Sequence, residues 1–499
     1  MPPIRKVLII YPPIVLSAPD RPSYTFPMGA GYIAAVLEQA GYQVQCLDAI
    51  AEGMKEQRPT RDGRTEFGLS IEVIMARVRE FKPDAVGISC QFSLQFSATR
   101  KLLEAIHAWN AETVTVIGGT HSSAQPGAVL NETGVDYVIL GEGEATIVEL
   151  FARLNEQTDL STMDGLAWRH GSNIRVNPRT QFIRDLDAIP FPARHLFDME
   201  KYFETDRGWG DRQNRRRLSM ITSRGCPFKC SFCGIHLNTG KTYRARSPEN
   251  VLSEISKVIA DYRITDIMFE DDNISLHKNR FLDILHGIID HRFDITWTAT
   301  SGMALWTLDE EVLQTMRESR CSCIYLGIES GNERVLREVI VKHLTDKNEI
   351  RRRVTQIKSF GFETVGFWVL GNPGETKKEM WDTLEFAREL ELDFNQVLIA
   401  LPYKGTALYD TCLEKGYFAV SPELDPNQMM ETKGLIRTPE FGPMDVFAIQ
   451  QAGRFLAIRR KGTSRWHALR ELFRRHGLSG ARVLVELAKK KLGYYTFCH

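Results

Sequence analysis

Cysteine is scarce in this chain, with nine thiols in 499 residues. That count excludes the disulfide framework of a small secreted protein and leads us to expect a reducing, cytoplasmic setting. No sign of charge dominates, because 63 Lys and Arg stand against 63 Asp and Glu. The general electrostatic reason to expect nucleic acid as a partner is therefore missing, and no recognised RNA-binding module takes its place. Long apolar runs are absent as well. The N-terminal stretch MPPIRKVLIIYPPIV has five consecutive apolar residues before prolines interrupt it, against the roughly twenty that a membrane span needs. What remains, 25% charged and 43% hydrophobic residues, describes a folded protein too long for one ordinary core.

The pattern along the chain is an alternation of strands and helices. IRKVLIIY (4–11) reads as a buried parallel strand, continuous and short. FPMGAGYIAAVLEQAGYQV follows with helical spacing, a stop at Gly41 and a second strand ending at Asp48. DAVGISC, a helix over 98–109, TVTVIGG and VDYVILGEGE continue the series. Residues 1–145 are thus expected to form a doubly wound, Rossmann-like α/β domain whose ligands bind at the carboxyl ends of the strands. Residues 146–214 read as a linker with a hairpin around RHGSN. From 215 to 415 six β/α units suit a partial (β/α)6 barrel, with Ser247 and Pro248 as the first residues of a capped helix. Residues 416–499 form a helical, basic region: from Arg454 to Lys491 there are twelve Lys or Arg against two Glu. Interleaved Phe455, Trp466 and Phe473 suit amphipathic helices, either capping the barrel or touching an anionic membrane surface.

The chemistry concentrates in RGCPFKCSFCGIH (224–236). Cys226, Cys230 and Cys233 are spaced C-x3-C-x2-C, one thiol short of a closed tetrahedral site. Structural zinc takes four protein ligands; His236 is a candidate fourth, and Cys321 and Cys323 do not form a second C-x2-C pair. An iron-sulfur cluster held by three thiolates instead leaves one iron open to another ligand.

CPFKCSFC resembles the signature of the radical S-adenosylmethionine (SAM) superfamily. The likeness extends through RARSPENVLSEI, IMFEDDNIS, IYLGIESGNERVL, VGFWVLGNPGET and LPYKGTALYD. It implies that Cys226, Cys230 and Cys233 hold a [4Fe-4S] cluster whose open iron binds SAM, and that SAM is cleaved to a 5'-deoxyadenosyl radical. By the same resemblance Phe232 would lie near the adenine, and Glu270, Asp271 and Asp272 would meet the amino group or ribose of SAM. Glu329 would be a second ribose or methionine contact, and Gly371 would let the backbone approach the cofactor.

Residues 1–145 resemble the cobalamin-binding domain that precedes many radical SAM barrels. In some cobalamin proteins a D-x-H-x-x-G stretch supplies a histidine as the lower cobalt ligand; here the stretch is DAIAEG, in which Asp48 and Gly53 match but Ile50 replaces the histidine. Gly118, Gly119, Gly141 and Gly143 are expected along the nucleotide tail, and Ser89 or Gln91 at the corrin face. His121 is read as a satisfied loop histidine. A cobalt without a strong lower ligand favours methyl transfer over mutase chemistry.

The resemblance therefore implies a cobalamin-dependent radical SAM enzyme that C-methylates an unactivated carbon of a small-molecule or lipid-like substrate. A flavodoxin- or ferredoxin-type electron donor is implied. A non-methylating cyclase on the same architecture and a zinc-binding, non-enzymatic protein are the alternatives.

Overall fold

The computed structural model describes residues 3–17, 22, 25–205, 215–421, 434–460 and 485. They fall into two compact units, Met1–Pro227 with Ile235–Thr298, and Phe228–Gly234 with Ala299–His499.

The first unit contains β1 (Lys6–Tyr11), β2 (Ile14–Leu16), β3 (Gln43–Asp48), β4 (Gln57–Pro59), β5 (Thr65–Phe67), β6 (Ala85–Ser89), β7 (Val114–Gly118), β8 (Tyr137–Ile139), β9 (Leu166–His170) and β10 (Asn173–Asn177). Its main sheet runs β10-β9-β8-β7-β6-β1-β3. Val7 to Ile10 are all buried, the continuous pattern of a strand covered on both faces. Val7 and Ile9 pack with Ala30, Leu37 and Phe151 on one side, while Leu8 and Ile10 pack with Val78, Leu102 and Leu103 on the other. The strand order reverses at β1, between β3 and β6, and the carboxyl ends at that reversal are where such sheets receive ligands. Tyr11 and Ser89 are the last residues of β1 and β6.

The hairpin expected around RHGSN forms as β9 and β10, paired antiparallel. It is joined to the sheet, because β9 pairs antiparallel with β8. A small antiparallel sheet, β2-β5-β4, had no sequence signal; its strands are three residues each. Ile50 packs beside it with Ile14, Leu16 and Phe67.

The second series of strands begins with β11 (Arg217–Met220), β12 (Ser223–Arg224), β13 (Arg244–Ala245) and β14 (Asp266–Phe269). Strand β11 pairs in parallel with β14. SMITSRG reads as one strand in the sequence but breaks after Met220, where the Thr222 backbone N–H donates to Asp271. Its second half, β12, pairs antiparallel with β13. The helix Pro248–Tyr262 opens at the expected cap, with Ser247 accepting from the Asn250 N–H. Strand β15 (Thr296–Met303) carries the chain from the first unit into the second. There β16 (Cys321–Glu329), β17 (Glu363–Leu370) and β18 (Phe394–Ile399) pair in parallel. Strands β11, β14, β15, β16, β17 and β18 alternate with helices in the succession of a partial (β/α)6 barrel.

The helix Pro443–Arg460 follows, and its Gln450 side chain donates to the Val397 carbonyl of β18 at 2.8 Å. Most of the basic segment Arg454–Lys491 lies outside the described residues. No helix among the described residues is long and apolar enough to cross a membrane.

Candidate active site

In the first unit the approach to the cysteine loop is held by carboxylates at the end of β14. Asp271 is buried; it accepts from the backbone N–H of Thr222 at 3.1 Å and from the hydroxyls of Thr222 and Ser223. Asp272 accepts from the Gly225 N–H and the Thr239 hydroxyl, both at 2.7 Å. Glu270 accepts from the Ser219 hydroxyl at 2.7 Å. Burial raises the pKa of all three acids. Gly225 has φ +85°, and a Cβ there would come within 2.2 Å of the Thr242 carbonyl oxygen. Only glycine enters the loop this way. Cys226 follows, half-buried.

In the second unit the Cys233 N–H donates to the Cys230 carbonyl at 3.0 Å, which turns the loop back on itself. Ser231, between them, donates through its N–H to Ile340 and through its hydroxyl to Val339. Those carbonyls end a π-helical turn, Val335–Ile340. Val341 then adopts φ +61°, and Lys342 follows. Its ammonium lies 3.0 Å from Glu329 Oε1, with side chains 15% and 10% exposed. Burial opposes the Lys342 charge, but Glu329 and the Cys230 and Cys233 thiols outweigh it and its pKa is raised. Glu329 itself takes φ +72°. A Cβ on Gly327 would sit 2.9 Å from Glu329 Oε1 and 3.3 Å from Lys342 Nζ, so the ion pair lies directly over that glycine. Beside it Phe228, Trp306 and His343 form an aromatic cluster with centroids 4.6–5.3 Å apart. Phe232 is half-buried, like Cys230 and Cys233.

Gly371 has φ +83°, and the space of its missing side chain is filled by Val446, 2.8 Å from an ideal Cβ. Its N–H and that of Asn372 donate to Glu375 Oε2 at 2.8 and 3.0 Å. Glu375 is fully buried, and desolvation pushes its pKa up to about 8 against the bonds that favour its charge.

At the carboxyl edge of the first sheet, Ser89 and Gly118 are register partners. A Cβ on Gly118 would meet nothing within 4 Å, and Gln91 and Phe92 are exposed. The other glycines are occupied by protein. A Cβ at Gly53 would meet the Leu69 nitrogen at 2.1 Å, one at Gly119 the Cys90 oxygen at 2.5 Å, one at Gly141 the Asn238 oxygen at 3.1 Å, and one at Gly143 Ile33 at 3.0 Å. Asp48 caps the short helix that follows it and accepts from the Tyr202 hydroxyl at 2.8 Å; burial raises its pKa to about 6. Ile50 is buried in apolar company. His121 is buried, with Nδ1 2.9 Å from Ser93 Oγ and Gln125 beside the ring.

These placements fit the expected groups. Three thiols on one loop are the donor set of a cluster with an open iron; burial raises the Cys230 pKa and the Lys342 ammonium opposes that rise. Among the described residues no three His, Cys, Asp or Glu side chains form a ready-made site for a lone metal ion. Ser89 and Gly118 end neighbouring strands with open space at Gly118, Gln91 is exposed, and position 50 is isoleucine. Sequence reasoning did not single out Lys342, Glu142, Glu144 or Glu375. A glutamate three residues past the Gly371–Asn372 turn was the available signal for the last of these.

A mostly parallel α/β domain followed in the chain by a three-cysteine loop and further β/α units is the arrangement that the cobalamin-binding and radical SAM resemblances imply. Residues 19–151 match the B12 binding domain and residues 220–387 the Radical SAM superfamily. The chain is 34% identical over 466 residues to cytidylyl-2-hydroxyethylphosphonate methyltransferase of Streptomyces wedmorensis, covering 87% of this chain and 86% of that one. It is 24% identical over 437 residues to an anaerobic magnesium-protoporphyrin IX monomethyl ester cyclase of Rubrivivax gelatinosus, covering 85% and 74%. Among solved structures it resembles the radical SAM methyltransferase TsrM of Kitasatospora setae with cobalamin and a [4Fe-4S] cluster bound, at TM-score 0.67 and 19% identity over 84% and 80% of the two chains. The chain belongs to the cobalamin-dependent radical SAM enzymes, whose cofactors are a [4Fe-4S] cluster, SAM and cobalamin. That membership sets aside the non-enzymatic zinc reading.

Proposed function

We propose that this enzyme methylates an unactivated carbon of a small-molecule substrate. What supports the reading is the presence in one chain of a three-cysteine loop and of a buried, apolar Ile50 where a histidine ligand would stand. When bound, the cluster and SAM supply radical chemistry and cobalamin supplies the methyl group.

Cys226, Cys230 and Cys233 would hold the cluster. Lys342 would meet the carboxylate of SAM, held at its height by Glu329. Asp271 and Asp272 would fix the backbone entering the loop, which leaves Glu270 as the acid at the end of β14 best suited to the amino group. Phe232 would pack near the adenine, and Gly371 would keep the turn after β17 in shape. Ser89, Gln91 and Gly118 would line the corrinoid, with Asp48 and Gly53 shaping the loop beneath. Gly119, Gly141 and Gly143 would form the walls along its tail. These residues orient their ligands and exclude water. A flavodoxin- or ferredoxin-type donor would supply the electron in the cytoplasm.

The test is product analysis after anaerobic reconstitution. Methylation consumes two SAM per turnover and yields S-adenosylhomocysteine together with 5'-deoxyadenosine. Formation of 5'-deoxyadenosine alone, with substrate turnover, would instead support a cyclase-type outcome. Any peripheral membrane contact rests on the basic C-terminal segment; equal vesicle sedimentation with and without residues 450–499 would remove it.

A further inference from the structure

The ribbon β12–β13 brackets the cysteine loop and contains an awkward pairing. Arg224 and Arg244 are direct cross-strand partners, and like charges placed opposite one another destabilise a two-stranded ribbon. Two glutamates after β8, Glu142 in the loop and Glu144 at the start of the helix Glu144–Glu156, resolve the conflict. Glu142 Oε1 lies 2.8 Å from Arg244 and 3.4 Å from Arg224, and Glu144 Oε1 lies 2.6 Å from Arg224. All four side chains are less than a tenth exposed.

The same loop is tied to the corrinoid edge. The Gly141 N–H donates to Ser123 Oγ at 2.9 Å, and that hydroxyl donates to the Gly119 carbonyl at 2.9 Å. On the other side Arg224 leads directly into Gly225 and Cys226. A continuous set of contacts, part-buried at Ser123 and buried at the arginines, therefore runs from Gly119, beside the open position at Gly118, to the first cysteine.

We infer that Glu142 and Glu144 are positioning residues that set the ribbon entering the cysteine loop, and thereby couple cobalamin binding to cluster binding. The inference rests on the family reading above. Coupling of this kind is reciprocal: each ligand must alter the affinity of the other by one common factor.

The test is the dissociation constant of hydroxocobalamin for full-length protein, cluster-loaded and cluster-free, in the wild type and in Glu144→Gln. The wild type is expected to bind about 5-fold or more tightly when loaded, the lower range of typical couplings. In Glu144→Gln the ratio should fall to about one with iron content retained, because a carboxamide cannot neutralise Arg224; Arg224→Lys, which keeps the charge but loses the fork that meets both glutamates, should retain part of the ratio. Should Glu144→Gln fail to fold, Glu144→Asp should fold and give a reduced ratio. A wild-type ratio of one, or an equal ratio in wild type and variant, would overturn the inference while leaving the family reading intact. A wild type that takes up neither cofactor would overturn both.

Discussion

Lys342 Nζ and Glu329 Oε1 stand 3.0 Å apart at the floor of the cysteine loop, in reach of the electrostatic field of Cys230 and Cys233. Removing the cation should leave Glu329 as an uncompensated negative charge among thiolates. Lys342→Met is expected to lower the one-electron midpoint potential of the cluster, with about 60 mV corresponding to tenfold in equilibrium, and to weaken SAM binding. It should also cost up to roughly 3–5 kcal/mol of stability, partly recovered in Lys342→Met/Glu329→Gln. Redox titration followed by EPR and calorimetry of both variants check this; an unchanged potential would sink it.

Glu375 should make stability depend on pH. Its folded-state pKa of about 8 lies above its ordinary value near 4.5. Between those values the folded chain keeps a proton that the unfolded chain releases, so stability falls as pH rises through the window. Glu375 Oε1 and Asn372 Oδ1 are both buried without a hydrogen-bond partner among the described residues, and a proton on the carboxyl converts one of two acceptors into a donor. Glu375→Gln is expected to gain Tm relative to wild type steadily from pH 5 to pH 8. A constant difference across that range would refute the assignment.

Gly371→Ala should destabilise through two separate effects. A left-handed φ costs a non-glycine residue roughly 1–2 kcal/mol, and the added methyl meets Val446 at 2.8 Å. Gly371→Ala/Val446→Ala should recover the second part only, which denaturant melts can resolve.

Bound cobalamin should lack a histidine ligand. EPR of the cobalt(II) form is expected to show no splitting from an imidazole nitrogen, because Ile50 is buried among Ile14, Leu16 and Phe67 and His121 is engaged by Ser93 and Gln125. A histidine-type spectrum would require His121 to leave those partners.

The parts of this fold that were legible in the sequence are those with periodic or local signals. The buried run of β1, the Ser247–Pro248 cap and the spacing of Cys226, Cys230 and Cys233 each depend on neighbours a few residues away. The acids after β14 were recognisable as a group, but their individual partners were not: Asp272 meets Gly225 and Thr239 across 47 and 33 residues. Gly119, Gly141, Gly143 and Gly371 read as places for a ligand to come close, whereas protein atoms from other segments lie beside each. Lys342 was missed for a related reason. It follows a π-turn and a left-handed valine, neither of which has a periodic signature, and its partner lies on β16.

Gly327 and the ion pair above it compete for one volume. A side chain at 327 would displace Glu329 Oε1 or Lys342 Nζ before it touched anything else. These three positions should therefore vary together across related chains: a lineage that acquires alanine or larger at 327 should also have exchanged the acid at 329 or the cation at 342.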